Sequence, residues 1–183
     1  MKKRFLVGLL ILSLLATLFT GCAGGNKAAA EKVLRYNHGQ EPETIDPIQN
    51  TSTDGGTIAS AVFEGLTALD PDDKSIPGVA ESWDISSDKL TYTFHLRKDA
   101  KWSDGKAVTA KDFAYSWQRA LDPKTKAEYA YQLFYVKNGE EFNAGTAKAE
   151  DLGIKVLDAN TLEVTLNAPT LYFLSLTSFP TLM

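Results

Sequence analysis

The second half of the chain alternates between two hydrophobic periods. Leu90, Tyr92, Phe94 and Leu96 fall on one side of an extended segment, with Thr91, Thr93 and His95 on the other. Period two is the pattern of a half-buried strand. With residues 83–85 before it, this strand predicts a hairpin closed by Ser86-Ser87-Asp88-Lys89. A second hairpin is expected from residues 153–157 and 161–166, where Leu162, Val164 and Leu166 alternate around a turn at Asp158-Ala159-Asn160. Between the hairpins the period lengthens. Phe113, Trp117 and Leu121 recur every fourth residue, behind a capping box of Thr109 and Asp112 and ahead of Pro123, which predicts a helix with an aromatic core face. In the capping box the Thr109 hydroxyl is expected to accept a first-turn N–H.

Other segments are read more locally. Gly105 in Ser103-Asp104-Gly105-Lys106 is placed for a positive φ, and Asp70-Pro71-Asp72-Asp73 is a turn. Residues 129–136 suggest a helix with Tyr129, Leu133 and Val136 on one face, and residues 33–36 suggest a short strand. Asp54 is expected to cap a helix carrying Ile58, Val62 and Leu66, after the polar loop Asn50-Thr51-Ser52-Thr53. Hairpins mixed with helices predict a mixed α/β fold of α+β character.

The N-terminus is organised differently. Lys2, Lys3 and Arg4 precede an apolar run over residues 5–19, shorter than the roughly 20 residues that span a bilayer. A basic start and a short apolar core read as a secretory signal peptide, residues 1–21, in preference to a retained anchor. Phe19-Thr20-Gly21-Cys22 has the form of a lipobox, which makes Cys22 the candidate lipidation site. Residues 22–32 are small and polar and suit a flexible tether.

Composition removes whole classes of function. Cys22 is the only cysteine of the 183 residues, so an intrachain disulfide or a cysteine metal cluster is excluded. The net charge is −4, and loss of residues 1–21 removes only positive charges, which argues against a nucleic-acid partner. His38 and His95 are the two imidazoles, and neither has a zinc-like spacing or a neighbouring nucleophile. Gly55-Gly56 lacks the lysine of a phosphate loop. No catalytic residue, metal site or cofactor is expected.

Several short motifs occur together: Ile45-Asp46-Pro47, Phe63-Glu64-Gly65-Leu66, Pro77-Gly78-Val79-Ala80-Glu81-Ser82-Trp83, Trp102-Ser103-Asp104-Gly105 and Asp151-Leu152-Gly153-Ile154-Lys155. In this combination the chain resembles the family 5 bacterial extracellular solute-binding proteins, which serve peptide-uptake ABC transporters. The resemblance implies the N-terminal part of a bilobed periplasmic-binding-protein-like fold. It puts the start of the first ligand-binding lobe at residues 33–62 and an additional small α/β domain, incomplete at its C-terminus, at residues 63–183. Relatives of several hundred residues and the apolar ending at residues 171–183 suggest an N-terminal fragment, with residues 171–179 expected to be exposed.

The resemblance also implies a monomeric receptor for extended oligopeptides, lipid-anchored on the outer face of the cell membrane or periplasmic, with ABC permease subunits as partners. Thr51, Ser52 and Thr53 fall where the first lobe of such receptors pairs with the peptide backbone, and Tyr129 where an aromatic reaches the cleft. The loop carries no acidic residue at its start for a salt bridge to the ligand. The same residues also suit an ordinary capping loop, and Tyr129 simple packing. Dipeptides, nickel chelates and oligosaccharides remain open as ligands, as does an adhesin or signalling role, since one architecture serves many functions.

Overall fold

Four strands carry the period-two segments: β3 (Ala80–Ile85), β4 (Thr91–Leu96), β5 (Ile154–Asp158) and β6 (Thr161–Thr165). In the computed structural model, which describes residues 32–183, they form an antiparallel sheet in the order β3-β4-β6-β5. The two hairpins meet through β4 and β6, where Tyr92 faces Val164 and Phe94 faces Leu162. Tyr92, Phe94, Leu96, Leu162 and Val164 are buried on one face, while Thr91, Thr93 and His95 stay half-buried on the other. His95 pairs there with Asp84 of the neighbouring strand at 2.8 Å. A two-stranded sheet, β1 (Thr67–Leu69) with β2 (Ser75–Pro77), closes around the Asp70–Asp73 turn; only the turn was expected.

Of the helices, α1 spans Thr53–Val62 and α2 spans Ala110–Leu121. Phe113, Trp117 and Leu121 of α2 are buried as their spacing predicts, and α2 packs over β5 and β6. The Asp112 carboxylate accepts from the Thr109 N–H at 2.7 Å and from its hydroxyl at 2.8 Å. The expected capping box of Thr109 and Asp112 is present, and the hydroxyl also donates to the Asp112 carboxylate. Gly105 takes the expected positive φ of 87°.

Four expectations are corrected. Residues 33–36 form no strand, and Val33 and Leu34 are 62% and 90% exposed. Alternation becomes a strand only where a neighbouring edge accepts it, and both sheets are built from later segments. The N-cap of α1 is Ser52, with Asp54 inside the first turn. That helix ends at Val62, so Leu66 lies beyond it, and its buried positions are Gly55 and Ala59. Residues 129–136 hold a 3₁₀ helix, Glu128–Leu133, in place of an α-helix. The buried positions there are Ala127, Ala130, Leu133 and Val136, a spacing of three that matches three residues per turn.

The C-terminal segment is the largest departure. Residues 171–179 were expected to be exposed, yet Phe173 of α4 (Phe173–Leu176) and Thr177 are fully buried. The segment between contributes the short helix α3 (Gly139–Asn143). Phe173 lies 5.0 Å from the Tyr92 ring and meets Trp117 edge-on at 6.4 Å. The Thr67 hydroxyl donates to the Leu174 carbonyl at 2.6 Å and shares a 2.8 Å hydrogen bond with Thr177. An apolar run reads as exposed only if its partners are unseen, and here the sheet and α2 supply them. Leu171 and Tyr172 alone keep the expected exposure, at 83% and 53%.

Residues 38–183 make one unit and residues 32–37 belong to another. The signal peptide, Cys22 and the tether up to residue 31 lie outside the described residues.

Trp117 donates its indole N–H to the Leu182 carbonyl at 2.8 Å from a fully buried position. Replacing Trp117 by Phe removes that donor and part of the ring, so urea unfolding should show a loss of about 1–3 kcal/mol. Replacing the exposed Tyr115 by Phe, two residues earlier in α2, should change stability by less than about 0.5 kcal/mol.

Candidate functional site

A turn at residues 46–50 leads into α1. The Asp46 carbonyl accepts from the N–H of Gln49 at 3.1 Å and of Asn50 at 2.9 Å. Pro47 suits this turn because its φ is preset. The Asp46 carboxylate holds the turn from outside: it accepts from the Ile48 N–H at 3.1 Å and binds both guanidinium nitrogens of Arg119 on α2, at 3.0 and 2.6 Å. That two-point geometry fixes direction as well as distance. The Arg119 hydrogen bond, opposed by partial burial, holds the Asp46 carboxyl below its ordinary range and raises Arg119 in turn.

Next along the chain, Asn50 is 7% exposed and works as a node. Its Oδ1 accepts from the Ser52 N–H at 3.3 Å and hydroxyl at 3.1 Å, while its Nδ2 donates to the Ser52 carbonyl at 2.9 Å. The Ser52 hydroxyl accepts from the Gly55 N–H at 3.0 Å. A Cβ on Gly55 would stand 2.0 Å from Asn50 Oδ1, so only glycine fits the position. Asp54 sits in the first turn, where a negative charge complements the helix dipole, and it accepts from Gln40 at 2.7 Å. His38 donates from Nε2 to the Asp54 carbonyl at 2.7 Å.

Ser52 is thus tied inward through its N–H, its carbonyl and its hydroxyl, with an extended backbone at φ −96° and ψ 149°. The main-chain N–H and carbonyl of Thr51, one residue earlier, make no hydrogen bond among the described residues. Neither does the N–H of Thr53, which as a first-turn donor has no carbonyl behind it. Thr51 and Thr53 thus keep unused main-chain polar groups on either side of the pinned Ser52.

A concavity of about 490 Å³ brings Thr51, Ser52, Thr53 and Tyr129 together. The Tyr129 ring meets Phe179 edge-on at 5.5 Å. Sequence reasoning missed Asn50, Phe179, Pro180 and Thr181, which share this lining. Residues 179–181 were assigned to an apolar ending, and no local signal ties them to a loop far earlier in the chain. No charged side chain lines the concavity.

A larger groove, of about 810 Å³, includes Pro47, Val62, Phe63, Trp102 and Phe113 but none of the candidate ligand-binding residues Thr51, Ser52, Thr53 and Tyr129. Of its charged members, Asp46 pairs with Arg119 and Glu64 with Arg97, while Lys101 and Asp112 form no ion pair among the described residues. A binding site needs convergent polar groups with capacity left over, and the smaller concavity has them. Cys22 lies outside the described residues. Among those residues, no cluster of three or more His, Cys, Asp or Glu is placed to hold a metal ion.

Residues 74–182 match the family described as bacterial extracellular solute-binding proteins, family 5 middle. The chain is 43% identical to the periplasmic oligopeptide-binding protein OppA of Escherichia coli (strain K12), over 97% of this chain and 34% of that protein. It resembles the substrate-binding domain of an oligopeptide ABC transporter from Bacillus anthracis, with a TM-score of 0.81 and 49% identity over 84% of this chain and 30% of the other. A complex of Haemophilus influenzae OppA with RPPGFSPFR gives a TM-score of 0.76 and 41% identity over 80% and 29%. The chain thus spans about a third of the length of these relatives.

Replacing Asp46 by Asn should cost about 1–2 kcal/mol at pH 7 in urea unfolding, since a charge-assisted, partly exposed pair is lost. Because the folded carboxyl titrates lower than the unfolded one, at about 3.9, the wild-type advantage is complete above that value. It should fade as pH falls through the lowered folded value. An advantage independent of pH between 7 and 2 would show that the carboxylate charge is not what holds the turn.

Proposed function

The chain belongs to the family 5 bacterial extracellular solute-binding proteins, and from that premise we propose that it forms part of a non-catalytic receptor for extended oligopeptides. In this reading residues 33–62 begin the first lobe, residues 63–183 contribute the additional domain, and the opposing wall comes from a further part of the receptor. The receptor hands its ligand to the permease subunits of an ABC importer. It works outside the cytoplasm, held at the membrane by a lipid on Cys22.

The observation that carries the reading is the loop at the start of α1. Ser52 is pinned inward, while the N–H and carbonyl of Thr51 and the N–H of Thr53 make no hydrogen bond among the described residues, in a concavity shared with Tyr129. An extended peptide added along this loop meets main-chain partners at alternate residues, in the manner of a strand added to a sheet edge. Main-chain pairing is indifferent to side-chain identity, which suits a receptor for many sequences. The names of the relatives, oligopeptide-binding and peptide-bound, agree with this ligand class.

Calorimetry on the full-length receptor with length-matched peptides tests it. N-methylation at a paired ligand residue should weaken binding by about 1–3 kcal/mol, because a buried acceptor loses its donor. Exchange of one side chain should cost less where water fills the difference. Tight binding of a single sequence, or of a nickel chelate or sugar with no peptide bound, would overturn the reading.

For the anchor, replacing Cys22 by Ala should release the protein from the membrane fraction or leave an uncleaved precursor. Unchanged fractionation together with unchanged acyl labelling would exclude lipid attachment at Cys22. The three-chain anchor found in some bacteria binds far more firmly than one acyl chain alone.

A further inference from the structure

Asn50 joins the turn before α1 to the loop that follows it. Its own N–H donates to the Asp46 carbonyl at 2.9 Å, so its place is set by the turn that Asp46 and Arg119 hold against α2. Its side-chain amide then takes both main-chain polar groups of Ser52. Oδ1 accepts from the Ser52 N–H at 3.3 Å and Nδ2 donates to the Ser52 carbonyl at 2.9 Å. A neighbouring antiparallel strand exchanges the same two bonds with a residue that it pairs with. The Asn50 amide is therefore a substitute for a strand neighbour, built from one side chain.

The surroundings admit an amide and little else. Oδ1 also accepts from the Ser52 hydroxyl at 3.1 Å, and that hydroxyl accepts from the Gly55 N–H, so the amide and the first turn of α1 are fixed together. A Cβ on Gly55 would stand 2.0 Å from Oδ1 and 2.7 Å from Cγ of Asn50, which means that α1 starts directly against this side chain. An ionised carboxylate of the same shape would keep the acceptor but turn an oxygen, in place of an N–H, toward the Ser52 carbonyl.

We infer that Asn50 is a positioning residue for ligand binding: by pairing with Ser52 as a strand would, it holds residues 51–53 in the conformation with which an extended peptide pairs. This deepens the oligopeptide reading and rests on it, since there the main-chain groups of Thr51 and Thr53 meet the ligand. Asn50 itself makes no contact with ligand. Its effect on affinity runs through the main chain of the peptide, not through its side chains.

The test is a thermodynamic cycle on the full-length receptor, as wild type, Asn50→Ala and Asn50→Asp, with an alanine pentapeptide and analogues N-methylated at each position in turn. In the wild type, methylation at the most sensitive position should weaken binding roughly tenfold. Both variants should bind the unmethylated peptide roughly tenfold more weakly than the wild type. Methylation should then cost them less than about threefold, because the loop no longer offers the partner that methylation removes. Asn50→Asp keeps the shape of the side chain and carries the cycle alone where Asn50→Ala does not fold.

A full tenfold methylation effect retained in the variants would overturn the inference, since an Asn50 of structural importance only weakens every ligand by the same factor. Unchanged affinity of Asn50→Asp for the unmethylated peptide would overturn it too. If the wild type binds no peptide, or is indifferent to methylation at every position, the oligopeptide reading itself fails and this inference with it. That outcome is distinguishable because it shows in the wild type alone.

Discussion

The structure depends on the insertion of Phe173 between the sheet and α2. Its ring touches Tyr92 and meets Trp117 at right angles, inside a cluster that also holds Phe94. Aromatic burial of this kind contributes area, and edge-on geometry adds about 0.5–1.5 kcal/mol per pair. Its larger consequence is positional. With Phe173 fixed, the following residues run back along β1, through the hydroxyl pair of Thr67 and Thr177, to the 3₁₀ turn Pro180–Leu182. The Trp117 indole then fastens that turn by the Leu182 carbonyl. One wall of the candidate site is therefore held by the core of the sheet domain.

The other wall is held by polar bonds. Asp46 and Arg119 set the turn before α1 against α2, and Asn50 sets the shape of the loop that follows. Both walls are anchored to α2, through Arg119 and Trp117, which lie two residues apart on that helix. The concavity is thereby framed on both sides by bonds that reach α2.

Much of the frame was legible along the chain. The alternation of Tyr92, Phe94 and Leu96 and of Leu162 and Val164 identified the buried sheet face, and the spacing of Phe113, Trp117 and Leu121 identified the buried side of α2. These are local signals, set by the two- and 3.6-residue repeats of backbone geometry. The Ser52 cap was misread as Asp54 because both are good caps by type. What separated them was Asn50, whose amide pins Ser52 in extended conformation. The 3₁₀ segment at residues 128–133 was misread for a related reason: a face of apolar residues suits either helix, and only the depth of each position revealed a period of three.

The sequence by itself determined the mixed α/β class, the paired hairpins, the aromatic helix and the family motifs, since each rests on neighbours within a few residues. It also singled out Thr51, Ser52, Thr53 and Tyr129. Tertiary structure decided that the two hairpins join through β4 and β6, that the apolar ending is core, and that Thr181 shares a concavity with Thr51. Each of these is a contact between segments far apart in the chain. Such contacts are chosen by shape and by hydrogen-bonding capacity left over after local structure has formed, and no local pattern records them.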